Sequence, residues 1–215
     1  MIPVLIIGKS GAGKSASLRN LPQEGTVVVN VLGKTLPFRN TLKTVLCDDY
    51  GKIAAAIQRG NFERCVIDDA GYLITNQFME GHGAQGGGNS VFALYNQLAD
   101  EYWRLIRTIQ KAPGDNRVYL MMHEDKTDAG DVKPKTIGKL LDEKVCLEGL
   151  FTVCLRAMII GGRHVFRTQS DGFDVAKSPM DMFQSEEIDN DLALVDRAIC
   201  EYYGIGGNRN DQEAE

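Results

Sequence analysis

The segment Gly8-Lys9-Ser10-Gly11-Ala12-Gly13-Lys14-Ser15 fits the phosphate-binding pattern G-x-x-x-x-G-K-[ST], the P-loop, at every fixed position. Glycines let the backbone form a concave nest whose N–H groups point at phosphate oxygens, and a helix starting there adds its positive end. In this pattern the lysine reaches the β- and γ-phosphates and the hydroxyl ligates Mg²⁺, so we predict these roles for Lys14 and Ser15. Ala16 would close the binding segment. The alternative is a glycine-rich turn that binds nothing.

Two acidic residues follow a short apolar run and could complete this site. Asp68 comes directly after Cys65-Val66-Ile67, and Asp69 follows it. A P-loop needs a carboxylate at the end of a neighbouring strand to hold Mg²⁺ through water, so we predict that Asp68 joins Ser15 in the metal site. Asp69 is then placed to orient or deprotonate the attacking water. Either aspartate could instead cap a helix, and Asp69 could simply face solvent.

A further polar pair, His123-Glu124, follows the apolar run Val118–Met122. A polar side chain at this strand end would lie beside the γ-phosphate and sense its loss, and His123 is our candidate for that catalytic role. Glu124 is a second choice for the catalytic acid. The alternative for His123 is a surface histidine at a strand end. His82 and His164 show no metal-ligand spacing, and we assign them no role.

The elements that must position these residues can be predicted from apolar runs. Four short runs rich in branched residues are typical of strands buried on both faces, and helical patterns lie between them. Strand and helix alternate, so we predict an α/β fold with a mostly parallel central sheet flanked by helices. The predicted strands are Val4–Ile7, Thr26–Leu32, Arg64–Ile67 and Val118–Met122. The predicted helices are Lys14–Asn20, one that starts after the capping pair Asp48-Asp49 and ends at Gly60, and Val91–Lys111.

The later part of the chain has a different pattern. Phe151–Ile160 and Arg163–Thr168 flank Gly161-Gly162, which predicts an antiparallel hairpin at the C-terminal edge of the sheet. Ser185 is predicted to cap a final helix that ends before Gly204. We expect a single domain over residues 1–205, followed by a polar, acidic and disordered tail at 206–215. Five glycines among residues 81–89 predict a mobile loop.

Composition excludes several classes of protein. A chain of 215 residues with 43% hydrophobic and 25% charged residues is typical of one globular domain. Its formal charge of −5 argues against a broadly basic surface for nucleic acid or anionic membrane. No uncharged apolar run approaches the length of a membrane span. The five cysteines show no C-x-x-C spacing and fit a reducing compartment, so we expect a cytoplasmic protein with no membrane association.

The P-loop after a first strand, Asp68-Asp69 and the strand ending in His123-Glu124 together resemble phage-encoded P-loop ATPases with a RecA-like core. Two further stretches share the resemblance, Gly33–Arg39 and Phe166-Arg167-Thr168 with Ala176–Pro179. It covers about residues 1–185. The resemblance implies a RecA-like P-loop NTPase core that uses ATP and Mg²⁺, in the cytoplasm of a bacterial host.

The same resemblance implies partners. RecA-like ATPases assemble side by side with ATP at the subunit interface, and a basic residue of the neighbour completes the site. Lys177 resembles such a trans-acting lysine; the alternative is a solvated lysine. Members of the family bind and anneal single-stranded DNA in phage recombination, which implies single-stranded DNA as a partner, and a single-strand-binding protein as another. The DNA-contacting loops would match residues 79–90 and 126–139.

Basic side chains that could track DNA phosphates form two groups, although a solvated face explains each of them as well. One group lies in a single segment and the other in the hairpin region. The first is Lys133, Lys135, Lys139 and Lys144, and the second is Arg156, Arg163, Arg167 and Lys177.

One departure from the family leaves the reaction open. RecA-like enzymes usually place a catalytic glutamate at the end of the second strand, where this chain has Asn30. Asp69 is the substitute we predict, and hydrolysis could be slow. Two alternatives therefore stay open. One is a nucleotide-dependent switch or loader with little turnover. The other is a small-molecule P-loop kinase, which needs an arginine-bearing lid that the glycine-rich loop does not offer.

Overall fold

A computed structural model describes residues 1–84 and 89–206, and these contain nine strands and four α-helices. In chain order they are β1 (Ile2–Gly8), β2 (Thr26–Asn30), β3 (Lys43–Leu46), α1 (Tyr50–Arg59), β4 (Arg64–Asp68), α2 (Tyr72–Gly81), α3 (Asn89–Lys111), β5 (Arg117–Lys126), β6 (Val132–Pro134), β7 (Val153–Ile160), β8 (Arg163–Arg167), β9 (Glu187–Asp189) and α4 (Leu192–Tyr203). Short 3₁₀ helices span Ser15–Asn20, His82–Ala84 and Glu148–Leu150, and a π-helical turn spans Leu140–Lys144.

The strands form one sheet in the order β3-β2-β4-β5-β1-β7-β8-β9. The first six strands of this order are mutually parallel, and β8 and β9 are added antiparallel at the C-terminal end. The short strand β6 pairs antiparallel with the carboxyl end of β5, at Glu124–Lys126. The carboxyl ends of the parallel strands therefore meet along one edge, where α/β proteins bind their ligands.

Side chains of alternate residues in the central strands are buried in two apolar layers, one on each face of the sheet. Leu5 and Ile7 of β1 join the layer under α1, α2 and α3. Val4 and Ile6 join the layer under α4 and the 3₁₀ helix Ser15–Asn20. A strand covered on both faces must be apolar at every position, because its side chains alternate between the faces. This is the physical reason why the continuous apolar runs predicted these strands correctly.

The α/β fold, the mostly parallel sheet with helices on both faces and the antiparallel hairpin are confirmed. Each of the four predicted strands is present, and the hairpin turns at Gly161-Gly162. The helix predicted over Lys14–Asn20 is a 3₁₀ helix that begins at Ser15. The sequence prediction missed β3, α2, β6 and β9, and three of these are strands of only three or four residues.

Two predicted boundaries are wrong. Ser185 does not cap the last helix, because Glu187–Asp189 is the edge strand β9; α4 begins at Leu192, with the Asp191 side chain accepting the N–H of Ala193. The predicted glycine-rich loop is shorter than expected, because α2 continues to Gly81 and α3 begins at Asn89. Its residues 85–88, and the predicted tail beyond Gly206, lie outside the described part. No helix in the described part is long and apolar enough to cross a membrane.

Candidate nucleotide-binding site

The P-loop leaves the carboxyl end of β1 and leads into the 3₁₀ helix Ser15–Asn20. Gly13 has a φ of 102° in the P-loop, a conformation that side chains disfavour. Ala12 N–H donates to the Lys9 carbonyl (3.2 Å) and Ser17 N–H donates to the Gly13 carbonyl (2.9 Å), so the loop closes into a compact turn. This is the concave backbone that the sequence pattern predicts.

Neighbouring elements hold the loop from the side. A Cβ atom on Gly8 would lie 2.6 Å from the Ala157 carbonyl of β7, so glycine is required where β1 and β7 approach closely. A Cβ atom on Gly13 would lie 2.9 Å from both His164 Nδ1 and Asn190 Oδ1. His164 also donates from Nδ1 to the Ala12 carbonyl (3.0 Å), because a carbonyl oxygen can only accept. The P-loop is therefore pressed against β7, β8 and the residue that follows β9.

Lys14 is buried, and its ammonium group donates to two carbonyls of its own loop, those of Gly8 (2.7 Å) and Lys9 (3.0 Å). Burial lowers the pKa of Lys14, whereas the nearby carboxylates of Asp69, Asp68 and Glu124 act in the opposite direction. A cation that is already desolvated and surrounded by carbonyl dipoles can bind phosphate oxygens at a small further cost in solvation.

The Ser15 hydroxyl donates to Asp68 Oδ1 over 3.0 Å, although the two residues are 53 positions apart in the chain. Burial, and then the charge of Asp69, raise the pKa of Asp68. A hydroxyl and a carboxylate are both hard oxygen donors of the kind that Mg²⁺ prefers, and their contact places them as a P-loop metal site requires. The donor set therefore fits Mg²⁺.

The sequence reasoning expected Asp68 to lie on a strand next to β1, and the structure places it elsewhere. Strand β5 is inserted between β1 and β4, so the expectation of a neighbouring strand is wrong. Asp68 still meets Ser15, because β5 and β4 are parallel to β1 and end at the same edge of the sheet. The inserted strand also brings His123 directly beside Gly8.

Asp69 is buried and has a φ of 59°, which is uncommon for a residue with a side chain. Its carboxylate pairs with the Lys34 ammonium and lies 3.6 Å from His123 Nε2. The backbone around it is fixed, because Ala70 N–H donates to the Met121 carbonyl (2.7 Å) and Tyr72 N–H donates to the Asp69 carbonyl (2.8 Å). Asp69 is therefore a buried, paired residue, and the alternative that it simply faces solvent is wrong.

His123 is three-quarters buried at the carboxyl end of β5, where its ring packs edge-on against Tyr72. Burial and then the Lys14 cation lower its pKa below the ordinary histidine value. The structure therefore brings together Lys14, Ser15, Asp68, Asp69 and His123, which the sequence predicted at three separate places.

Glu124 is also buried near this group but is engaged elsewhere. Both of its carboxylate oxygens accept from the Arg156 guanidinium, at 2.9 and 3.1 Å, and Arg156 also pairs with Asp174. Both Glu124 oxygens are therefore occupied by one guanidinium, whereas Lys34 pairs with Oδ2 of Asp69 and Asp69 Oδ1 lies 3.6 Å from His123 Nε2.

Lys177 lies apart from the P-loop of its own chain. Its backbone exchanges two 2.8 Å hydrogen bonds with Cys154 of β7, and Cys154 pairs with Leu5, three residues before Gly8. A role in the site of a neighbouring subunit stays a prediction.

Sequence reasoning missed two residues that contact the site. Lys34 pairs with Asp69, and its position is set by Asn30, whose side-chain amide donates to the Lys34 carbonyl. His164 contacts the P-loop carbonyl of Ala12. Lys34 lies within Gly33–Arg39, one of the stretches that carried the family resemblance, and this could have indicated a role in the site. Nothing in the sequence around His164 points to the P-loop.

Comparison with models of protein families identifies a match. A family model described as an AAA domain matches residues 2–180 of the chain. The match includes the P-loop, Asp68, Asp69, His123 and Lys177 and ends before β9 and α4. No protein of curated function matches the chain.

Proposed function

The chain belongs to the AAA domain family of P-loop ATPases. From the site geometry and the sequence resemblance we propose that it is a Mg²⁺-dependent ATPase of RecA-like type that acts on single-stranded DNA in phage recombination. The contact between Ser15 and Asp68 carries the ATPase part of the proposal. It joins the hydroxyl of the P-loop to an acid at a strand end, which is the arrangement that P-loop ATPases use to hold Mg²⁺ beside the phosphates.

The residues divide the work as follows. Lys14, which donates to two carbonyls of its own loop, would bind the β- and γ-phosphates, and Ser15 and Asp68 would hold Mg²⁺. Bound Mg²⁺ supplies positive charge that neutralises the transferring phosphoryl group. Asp69 accepts the proton of the attacking water, and neutral His123 beside it detects whether the γ-phosphate is present.

A nucleotide-dependent switch with little turnover is the second candidate. Two observations favour it. The second strand ends in Asn30 instead of an acid, and the Asp69 carboxylate is already paired with Lys34. Turnover would depend on the release of Lys34, because its ammonium group occupies an oxygen of the proposed base.

Single-strand binding draws support from the basic residues that remain free for phosphates. Arg156, Arg167 and Lys133 pair with carboxylates inside the molecule. Over residues 1–84 and 89–206, no carboxylate lies within ion-pair distance of Lys135, Lys139, Lys144 or Arg163. Lys135 also lines a cavity of about 260 Å³ together with His123 and Tyr72. A DNA phosphate bound at Lys135 in this cavity would lie close to His123, the residue proposed to detect the γ-phosphate.

The proposed function also includes a homo-oligomer, in which Lys177 of one subunit completes the site of the next. A lysine in trans would stabilise the charge that develops on the phosphoryl group, as an arginine finger does. A single-strand-binding protein is a further partner that this function would use.

One experiment tests these proposals together. ATP hydrolysis and ATP binding are measured with and without single-stranded DNA, for the natural chain and for Lys14→Ala. We expect turnover that DNA stimulates, and a loss of about 10²-fold or more in Lys14→Ala, because removal of a phosphate-binding cation costs about as much as removal of an oxyanion-hole donor.

The other outcomes identify other functions. Tight ATP binding without turnover would establish the switch. Phosphate transfer to a small acceptor in the absence of DNA would establish a kinase. Failure to bind ATP at all would refute the nucleotide site.

A further inference from the structure

Two separate surfaces of the molecule expose apolar groups and carry opposite charge. The first lies at the end of the sheet that β3 forms, where all four residues of β3 are exposed and an apolar groove opens beneath the strand. The second is the segment 169–189, which follows β8, ends with β9 and carries exposed apolar side chains.

The groove beside β3, which we call the β3 groove, has a volume of about 500 Å³ and lies between strands β2 and β3 and helix α1. Its wall is apolar, and Leu46 at its rim is 72% exposed. The charged residues that line it are all basic: Lys43, Lys52 and Arg59. An apolar groove with a cationic rim is suited to an apolar side chain flanked by carboxylates.

Phe173 in the segment 169–189 has the complementary character. Its side chain is 70% exposed, although its backbone is held on both sides. The Phe173 N–H donates to Asp171 Oδ1 (3.1 Å), and its carbonyl accepts from the Val132 N–H (2.8 Å). An aromatic side chain on a fixed backbone loses little entropy when it is buried by a partner, which makes it an effective anchor.

The charges of the two surfaces are opposite. The segment 169–189 contains six acidic residues and one basic residue, Lys177. Five of the acids are exposed: Asp171, Asp181, Glu186, Glu187 and Asp189. Such complementarity steers association and fixes its orientation, more than it adds affinity.

We infer that the β3 groove of one copy of this chain receives Phe173 of a second copy, with the acidic segment against the basic rim. The groove lies beside β3, whereas Phe173 lies against β6, so the two surfaces are different and the contact is head-to-tail. The copy that contributes its groove keeps a free Phe173, and the copy that contributes Phe173 keeps a free groove. A head-to-tail contact builds rings or filaments instead of closed dimers. This inference assigns a surface to the oligomer of the proposed function, and the segment that docks also carries Lys177.

The test is the oligomeric state, measured by analytical ultracentrifugation over a range of concentrations, with and without ATP and Mg²⁺. We expect the natural chain to assemble. Phe173→Ala, and separately Leu46→Asp in the groove rim, should weaken self-association about tenfold or more. Phe92→Ala is the matched control, because Phe92 is also 70% exposed but lies on α3. Circular dichroism and thermal unfolding verify that each variant is folded.

Mixing the two variants gives the decisive result. Phe173→Ala retains an intact groove and Leu46→Asp retains an intact Phe173, so an equimolar mixture should form one-to-one heterodimers that grow no further. A natural chain that is monomeric under every condition would overturn the inference, and so would a mixture that stays monomeric or a Phe92→Ala variant weakened to the same degree. Nucleotide binding is measured separately, so a chain that assembles but does not bind ATP would refute the proposed function alone.

Discussion

Asp68 shows the conflict between stability and function at the scale of one residue. Its carboxylate is buried, with Asp69 next to it, and both effects raise its pKa. A raised pKa in the folded protein means that ionisation costs folding free energy. The cost is absent at pH values below the unfolded pKa, where both states are protonated, and it grows as the pH rises through the folded pKa. The natural aspartate therefore destabilises the chain at neutral pH.

We predict that Asp68→Asn is more stable than the natural chain at pH 7, by about 1 kcal/mol or about 2–4 °C in Tm, while it loses ATP hydrolysis. The asparagine keeps a hydrogen bond acceptor for Ser15 and removes the buried charge. Thermal unfolding from pH 4 to pH 7 in the presence of a chelator measures the effect. The advantage of the variant should shrink toward pH 4; a destabilised Asp68→Asn at pH 7 would contradict the argument.

Asp69 and Glu124 can be distinguished by paired substitutions. Asp69→Asn keeps a side chain that tolerates positive φ, so the backbone is retained, and we expect kcat to fall by about 10²–10⁴-fold with ATP binding intact. Glu124→Gln keeps one hydrogen bond acceptor for Arg156 and should change kcat only a few-fold. Steady-state kinetics measures both. Loss of turnover in Glu124→Gln with turnover retained in Asp69→Asn would assign the base to Glu124.

At the scale of elements, the P-loop depends on the hairpin that packs against it. The His164 ring comes from β8, and its hydrogen bond to the Ala12 carbonyl fixes which way that carbonyl points. With the carbonyl turned toward the hairpin, the loop N–H groups are left for phosphate oxygens. His164 is therefore a positioning residue that acts through the loop.

We predict that His164→Ala raises the KM for ATP about fivefold, which corresponds to about 1 kcal/mol for one hydrogen bond, and changes kcat less. His82→Ala is the matched control, because His82 also contacts backbone carbonyls but lies after α2, far along the chain from the P-loop. Initial-rate kinetics over a range of ATP concentrations separates the two parameters. An unchanged KM in His164→Ala would rule out the positioning role.

At the scale of the whole molecule, one buried charge cluster fastens α4 to the sheet. Asp196 of α4 accepts from Arg117 (2.8 and 3.1 Å), from Arg64 (3.1 Å) and from the Tyr119 hydroxyl (2.5 Å), and all four side chains are buried. The cluster joins β4, β5 and α4 across more than a hundred residues of sequence. Removal of the Asp196 carboxylate takes away the ion-pair partner of buried Arg117 and leaves buried Arg64 paired with Glu63 alone.

We therefore predict that Asp196→Ala lowers the free energy of unfolding by about 3–5 kcal/mol, the cost of breaking a buried ion pair. Urea denaturation measures it. Asp100→Ala is the control, since Asp100 makes an exposed ion pair with Arg104 at 3.8 Å, and its loss should cost less than about 0.5 kcal/mol. Equal losses of unfolding free energy in both variants would show that the buried Asp196 cluster stabilises the fold no more than an exposed ion pair does.

The features that depend on local pattern could be predicted from the amino-acid sequence. Continuous apolar runs mark strands that are buried on both faces, and the P-loop is a contiguous segment whose glycines and lysine have one chemical use. Asp68 and His123 could be predicted because each directly follows such a run, and strand ends of a parallel sheet meet at one edge. The short edge strands β3 and β9 could not, because three or four residues carry too little pattern.

Contacts between residues that are distant in the chain became known only from the fold. The insertion of β5 between β1 and β4, the pairing of Lys34 with Asp69 and the contact of His164 with Ala12 all join residues far apart in the chain. The same holds for the pairing of Glu124 with Arg156, which are 32 positions apart. Such contacts depend on strand order and on packing between layers, and local residue preferences carry no information about either.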